Sequence, residues 1–204
     1  MGKNIHPIAR RFRGLLPVVV DVETAGFNPQ TDALLEIAIV LLRINSQHRW
    51  EPSESMNVHV LPFPGANLEP SALEFTGIDP YHPFRFALHE HEALETIFLP
   101  IRQELHNTGC RRAVLVGHNP SFDLSFLKAT IDRNQIKKIP FHSFVTFDTA
   151  TLAGLAFGQT VLAKAVQSAG LSWDSHEAHS ALYDAKCTAE LFCTIVNLWE
   201  ERRL

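Results

Sequence analysis

The stretch Val18-Val19-Val20-Asp21-Val22-Glu23-Thr24-Ala25-Gly26-Phe27-Asn28-Pro29 decides how the chain is read. A β-branched run broken only by Asp21 makes a buried strand, and Gly26, Asn28 and Pro29 supply the turn that ends it. Side chains alternate along a strand, so Asp21 and Glu23 project on one face with valines opposite. Two carboxylates side by side repel. On so apolar a strand they are tolerable when protonated, when solvated at the strand end, or when neutralised by a cation. The pair alone does not choose among these.

Working outward, Leu34 to Ile44 reads as a second long strand and Met56 to Leu61 as a third, with short links that predict antiparallel neighbours. From Leu88 to His106, apolar residues recur at three- and four-residue steps, an amphipathic helix ended by Gly109. Ala113 to Val116 is a short buried strand, and Ser121 is positioned to cap a helix running through Phe122, Phe126, Leu127 and Ile131. His142 to Phe147 reads as a fifth strand, with Phe144 on one face and Phe141, Val145 and Phe147 on the other. Two small-residue helices follow, near 150 and over 161–169, then a last helix from about Ser180 to Arg202, whose negative end suits Arg202 and Arg203. The prediction is an α/β fold in one domain over 1–204: a five-stranded mixed sheet, three antiparallel strands then two parallel, flanked by helices. Its core is expected over about 15–202, behind a basic N-terminal segment at 1–14.

The 204 residues are 46% hydrophobic and 20% charged, which excludes disorder, collagen and coiled coil. Cys110, Cys187 and Cys193 form no C-x-x-C pair, and no apolar run approaches a membrane span, so a soluble cytoplasmic protein is expected. The net charge of −4 argues, as a total, against a nucleic-acid binder. Its distribution says otherwise. Residues 1–20 hold four bases and no acid, and residues 109–138 hold six bases and two acids, so two basic segments are averaged with an acidic remainder.

Two more carboxylates resolve the ambiguity of the first pair. Asp123 lies in His118-Asn119-Pro120-Ser121-Phe122-Asp123, in the first turn of a helix directly after a buried strand. Asp184 follows His179 by five residues. Five helical residues turn about 140° past a full circle, so the two converge only if His179 precedes the helix and Asp184 sits in its first turns. Taken singly, one reads as a helix-dipole carboxylate and the other as a neighbour of a loop histidine. Four carboxylates on three segments, without a cysteine pair, suit a hard cation, magnesium or manganese, rather than zinc. His89-Glu90-His91-Glu92 fails the H-E-x-x-H pattern and reads as a solvated helix start.

Asp21-x-Glu23, His118-Asn119-x3-Asp123 and His179-x4-Asp184 together resemble, in order and spacing, the three motifs of the DEDDh exonucleases, which share a ribonuclease H-like fold. Residues 19–28, Phe147-Asp148-Thr149-Ala150 and Gly158-Gln159-Thr160-Val161-Leu162 resemble more narrowly a branch of the family that trims the 3′ ends of stable RNAs. The resemblance implies 3′-to-5′ hydrolysis releasing nucleoside 5′-monophosphates, with two Mg²⁺ ions per site for which Mn²⁺ can substitute. Asp21, Glu23, Asp123 and Asp184 would hold the metals, with His179 counted in the same site as the base that takes a proton from water.

The same resemblance implies that Thr24 meets the terminal 3′ hydroxyl and that Phe27, Phe75, Phe122 and Phe144 stack on bases. Phe27 is the most telling, in a turn where burial is difficult. Ser71 departs from the branch, which carries there a glutamate placed against the terminal base. A homodimer is implied, with Arg11, Arg13, Arg112 and Lys137 of one protomer feeding RNA to its partner's site. The expected substrates are RNAs with single-stranded 3′ ends, transfer RNA and ribosomal RNA precursors, and to some extent single-stranded DNA. A proofreading exonuclease subunit of a DNA polymerase shares every catalytic residue, but the chain ends at Leu204, leaving little for a polymerase-binding tail. Oligoribonuclease-like clearance of short RNA is a further rival. A catalytically inactive nucleic-acid-binding module is disfavoured by the intact acidic set.

Overall fold

The computed structural model describes residues 6–202, so Arg203 and residues 1–5 of the basic N-terminal segment lie outside it. Strand β1 (Leu15–Thr24) runs through the middle of a five-stranded sheet. It pairs antiparallel with β2 (Leu34–Ile44), which pairs antiparallel with β3 (Trp50–His59). On its other side β1 pairs parallel with β4 (Arg112–Gly117), and β4 pairs parallel with β5 (Phe141–Asp148). The order is β3-β2-β1-β4-β5. β1 and β2 are buried along nearly their whole length, which is why both read as near-continuous apolar runs. β3 begins six residues earlier than its apolar pattern predicts. The Asn45 side-chain carbonyl accepts from the backbone N–H groups of Gln47 and Arg49, closing a tight turn that sets Trp50 opposite Ile44. As an edge strand, β3 exposes its polar middle, Ser53-Glu54-Ser55.

The helices are α1 (Pro7–Arg11), α2 (Pro70–Thr76), α3 (Glu90–Thr108), α4 (Ser121–Arg133), α5 (Thr149–Phe157), α6 (Leu162–Ser168) and α7 (Ala181–Glu201). Helices α1 and α2 are too short to show a period, yet each opens on a proline, whose missing N–H costs nothing at a first helical position. Helix α3 buries Leu94, Ile97, Phe98 and Ile101 completely, each worth about 1.5–3 kcal/mol of transfer from water. Helix α7 crosses β1, β2 and β3, its buried Ala181, Ala185 and Ala189 allowing a close approach. Its far end is tied to β3: Asn197 accepts from the Trp50 N–H at 2.8 Å and donates to the Trp50 carbonyl at 2.9 Å.

Four local expectations are corrected. Pro120, not Ser121, is the N-cap of α4; Asn119 turns the chain at φ 64° and donates its N–H to Asp148 Oδ1, leaving Ser121 as the first helical residue without a capping bond. Ser180 does occupy the N-cap of α7, but its side chain makes no capping bond. Glu90 is buried, ion-paired to Arg133 and bonded to Asn134, so the start of α3 is not wholly solvated. Finally, β5 does not alternate simply. Ala113 and Leu115 of β4 face Phe141 and Thr146, five residues apart, and this irregularity puts Phe141 and Phe147 on opposite faces. Phe141 packs edge-on against Phe98 of α3, whereas Phe147 stacks on Phe192 of α7.

Candidate active site

The sheet delivers the carboxylates through three segments. Asp21 and Glu23 stand at the C-terminal end of β1, where the pairing with β2 shifts between Glu23 and Thr24. Asp123, in the first turn of α4, accepts the Val22 N–H at 3.1 Å, which fixes this helix end against the acidic strand. Asp184 lies in the first turn of α7. Carboxylate oxygens of Asp21, Glu23 and Asp184 lie within 4.8 Å of one another. Carboxylates from three distant segments of the sequence are thus brought together, as the motif order implied.

Such crowding is costly without a cation. Burial, and then the charges of Asp123, Glu23, Asp184 and Glu36, hold the Asp21 carboxyl well above the usual carboxylate range. Burial followed by its acidic neighbours pushes Glu23 up to about 8, and burial pushes Asp123 up to about 7. Asp184 is raised by burial as well. Its Oδ1 is buried with no hydrogen-bond partner, an open donor position turned into an all-oxygen cluster. Among the described residues no lysine or arginine pairs with Asp21, Glu23, Asp123 or Asp184. The donor set therefore fits a hard divalent cation.

His179 precedes α7 in the left-handed conformation, φ 67°, a strained setting for a histidine and one that recurs at functional positions. Its backbone N–H donates to Asp184 Oδ2 at 3.3 Å, and its exposed ring lies 4.2 Å from that of Phe75. Loop and helix start thus converge as the five-residue spacing required.

Beside the carboxylates runs a groove lined by Glu23, Thr24, Phe27, Ser71, Phe75 and Phe122, among others. The Thr24 hydroxyl donates to the Gly26 carbonyl at 2.7 Å, which leaves its oxygen free to accept. Phe27 is 87% exposed and meets Phe122 edge-on at 6.2 Å between ring centres. The loop that presents Phe27 is built on Asp32, which accepts from the Asn28 N–H, the Thr31 hydroxyl and the Asn67 amide. Gly26 is required there, since a Cβ would stand 2.1 Å from Asp32 Oδ2. Phe144 is exposed, packs on His142, and does not line this groove.

Glu36 is the residue the sequence did not single out. It is buried, sits directly across from Glu23 in the β1–β2 register and accepts from the Asn57 amide at 2.6 Å. Its signal was present as the one acidic residue in an apolar strand whose other charge, Arg43, is exposed near the strand's end.

The basic residues gather at the other end of the sheet. Arg11, Arg13, Arg111 and Arg112 line one depression with His142, and Arg112, His142, Lys128 and Lys137 line an adjoining one. Arg11 is also ion-paired to Glu200 at 2.8 Å.

Comparison with known proteins agrees with this geometry. The family model RNase_T, described as an exonuclease, matches residues 18–192. The chain is similar to ribonuclease T of Hahella chejuensis, 58% identical over 195 residues, which cover 96% of this chain and 89% of the relative. It is also similar to ribonuclease T of Vibrio parahaemolyticus, 58% identical over 194 residues, 95% and 91% of the two chains. Among solved structures, the nuclease domain of 3′hExo, a DEDDh family member bound to rAMP, superposes with a TM-score of 0.69 at 20% identity, covering 88% of this chain and 90% of that one. E. coli exonuclease I in complex with a dT13 oligonucleotide gives a TM-score of 0.69 at 18% identity over 93% of this chain, which spans 42% of that larger protein. At these identities the two structures speak for the fold, a ribonuclease H-like sheet. With its acidic centre, its groove and a match to ribonuclease T over nearly its full length, the chain belongs to the ribonuclease T family of exonucleases.

Proposed function

We propose that this exonuclease removes nucleotides from the single-stranded 3′ ends of RNA, transfer RNA and ribosomal RNA precursors among them, and releases nucleoside 5′-monophosphates. The observation that carries the reading is the convergence of Asp21, Glu23, Asp123 and Asp184 beside an aromatic groove, with His179 at its edge. The four carboxylates would hold two Mg²⁺ ions, or Mn²⁺ in their place. When bound, such ions lower the pKa of water and offset charge on the attacking and leaving oxygens. His179 accepts the proton of the attacking water on its imidazole, acting as general base. Thr24 receives the terminal 3′ hydroxyl, and Phe27, Phe75 and Phe122 hold the last bases by stacking, a grip that tolerates any sequence. Ser71 in the groove wall leaves the terminal base without a carboxylate contact at that position. Phe144, exposed on β5 and outside the groove, would meet RNA only beyond these bases.

Arg112 and Leu15 are paired at the start of their strands, whereas Glu23 lies eight residues along β1, about 26 Å away. RNA held by Arg11, Arg13, Arg112 and Lys137 is therefore remote from the carboxylates of the same chain. A homodimer that offers each patch to the partner's centre resolves this separation. An apolar groove between α1, α5 and α7, with Leu155 and Trp199 exposed, supports association. Three buried free thiols agree with a reducing cytoplasm, and among the described residues no helix is long and apolar enough to cross a membrane. The proofreading alternative is not favoured, because the relatives of near-equal length are ribonucleases.

The test is digestion of 5′-labelled single-stranded RNA, single-stranded DNA and a tailed hairpin, with magnesium and with EDTA. Shortening from the 3′ end that prefers RNA and needs the metal is expected. No shortening of any substrate in magnesium overturns the reading.

A further inference from the structure

Beginning six residues beyond Phe75, the chain carries a second set of exposed rings. Tyr81 is 67% exposed, Phe84 77% and Phe86 81%, in the sequence Tyr81-His82-Pro83-Phe84-Arg85-Phe86. Three large aromatics in six positions, all facing solvent, are not core residues that missed their place, because the segment is held firmly. The Arg85 guanidinium donates to the Pro80 carbonyl at 2.9 Å and to the Leu35 carbonyl at 2.6 Å. Two residues after Phe86, Leu88 donates to the His59 carbonyl and accepts from the Leu61 N–H. The His82 ring accepts the Phe84 N–H and lies 5.6 Å from the Phe84 ring. Phe86 itself is left-handed, φ 50°, a conformation that is unfavourable for a bulky residue. The anchors on either side sustain that strain, and its effect is to keep two rings outside.

The position of the anchor relates this knuckle to the carboxylates. Leu35 precedes Glu36, the cross-strand partner of Glu23, so Arg85 is anchored on β2, the strand that pairs with the acidic end of β1. The knuckle is also continuous with the groove. Ser71, Ala72, Phe75 and Thr76 of α2 line the groove, and Gly77, in the left-handed region, ends that helix and leads to Tyr81.

We propose that Tyr81, Phe84 and Phe86 form a second stacking surface that grips single-stranded nucleic acid beyond the nucleotides held in the groove. The inference rests on the exonuclease reading above. Its chemistry selects bases over a protein partner: between residues 81 and 86 every exposed apolar side chain is an aromatic ring or a proline, with no exposed aliphatic residue to build a mixed hydrophobic patch. Stacking on exposed rings is worth about 1–3 kcal/mol per base, which converts to about 5- to 150-fold in affinity.

The test compares the wild type with the double variant Phe84→Ser and Phe86→Ser, whose exposed positions leave the fold intact, as a thermal melt verifies. Binding of a labelled RNA of about twelve nucleotides is followed by fluorescence anisotropy in EDTA, and steady-state constants are measured in magnesium on that RNA and on a trinucleotide. The expected result is an affinity loss of about tenfold or more and a matching rise in KM for the longer RNA. kcat on the longer RNA and both constants on the trinucleotide stay unchanged. Equal affinity for the longer RNA, or the same rise in KM on both substrates, overturns the proposal. So does dissociation of a wild-type oligomer by the double substitution, which assigns the rings to a second copy of the chain. Because anisotropy needs no turnover, an inactive wild type overturns the exonuclease reading while the affinity comparison still judges the knuckle.

Discussion

The backbone N–H of His179, not its ring, is the group bonded to Asp184: it donates to Oδ2 at 3.3 Å across a five-residue spacing. The imidazole is thereby left free over the groove, against Phe75, while the carboxylate is oriented by the main chain. The proposed base and the proposed metal ligand are thus positioned by one turn, through a bond that does not involve the histidine ring.

That separation makes His179→Ala informative. Asp184 keeps its N–H donor, so metal and RNA binding should be retained while single-turnover hydrolysis falls about 10²- to 10⁴-fold, the range of a lost general base. An unchanged single-turnover rate would falsify the assigned role.

The carboxylate cluster gives the metal-free protein an unusual pH dependence. Asp21, Glu23, Asp123 and Asp184 all have folded-state pKa values above their unfolded ones, Glu23 at about 8 and Asp123 at about 7. The folded state then binds more protons than the unfolded chain between about pH 4 and the folded values. Stability in EDTA should therefore fall as pH rises through that window, past the Glu23 value of about 8. Saturating magnesium should remove most of this slope by replacing the protons. Melting curves at several pH values, with and without the metal, check it; a metal-free protein more stable at pH 8 than at pH 5 contradicts the assignment.

Gly26→Ala should damage substrate holding more than chemistry. The added Cβ meets Asp32 Oδ2 at 2.1 Å, so the Asp32-centred loop must shift and Phe27 with it. KM for single-stranded RNA should rise about tenfold, as for the loss of one stacked base, with a smaller change in kcat. Phe27→Ala should reproduce the KM effect without loss of thermal stability, because the ring is almost wholly exposed.

Combined replacement of Arg11, Arg13 and Lys137 by glutamine should weaken RNA binding and flatten its dependence on salt, since each phosphate contact removed lowers the slope of log K against log salt by about 0.9 for a duplex and 0.7 for a single strand. Arg11 also pairs with Glu200, so a small loss of stability is expected from that position alone. Titrations at two or more ionic strengths decide the matter. A wild type whose affinity ignores salt has no working patch.

How far the sequence reached can be judged residue by residue. Long buried strands announce themselves, and β2 is found where the apolar run placed it. The carboxylates of β1 were legible because a strand puts i and i+2 on one face, and Asp184 because a helix start bounds its distance from His179. Glu36 was not, since its importance is a cross-strand register with Glu23 that no local pattern encodes. The faces of β5 were misread for a related reason: period-two reasoning fails wherever the ladder slips, as β5 does between Phe141 and Thr146. The knuckle at Tyr81–Phe86 escaped notice because aromatic residues usually signal burial, and only a placed backbone reveals rings held outside.

The register of β1 has an evolutionary consequence. The acidic centre is tied to the parity of one strand: inserting or deleting a single residue between Val18 and Asp21 would rotate both carboxylates to the side now occupied by valines, and valines to the side of Asp184. Substitutions can accumulate around this centre one at a time, but length changes upstream of it within the strand come only in pairs. The surface loops are free of that constraint, and it is there that relatives of this chain are expected to differ in length.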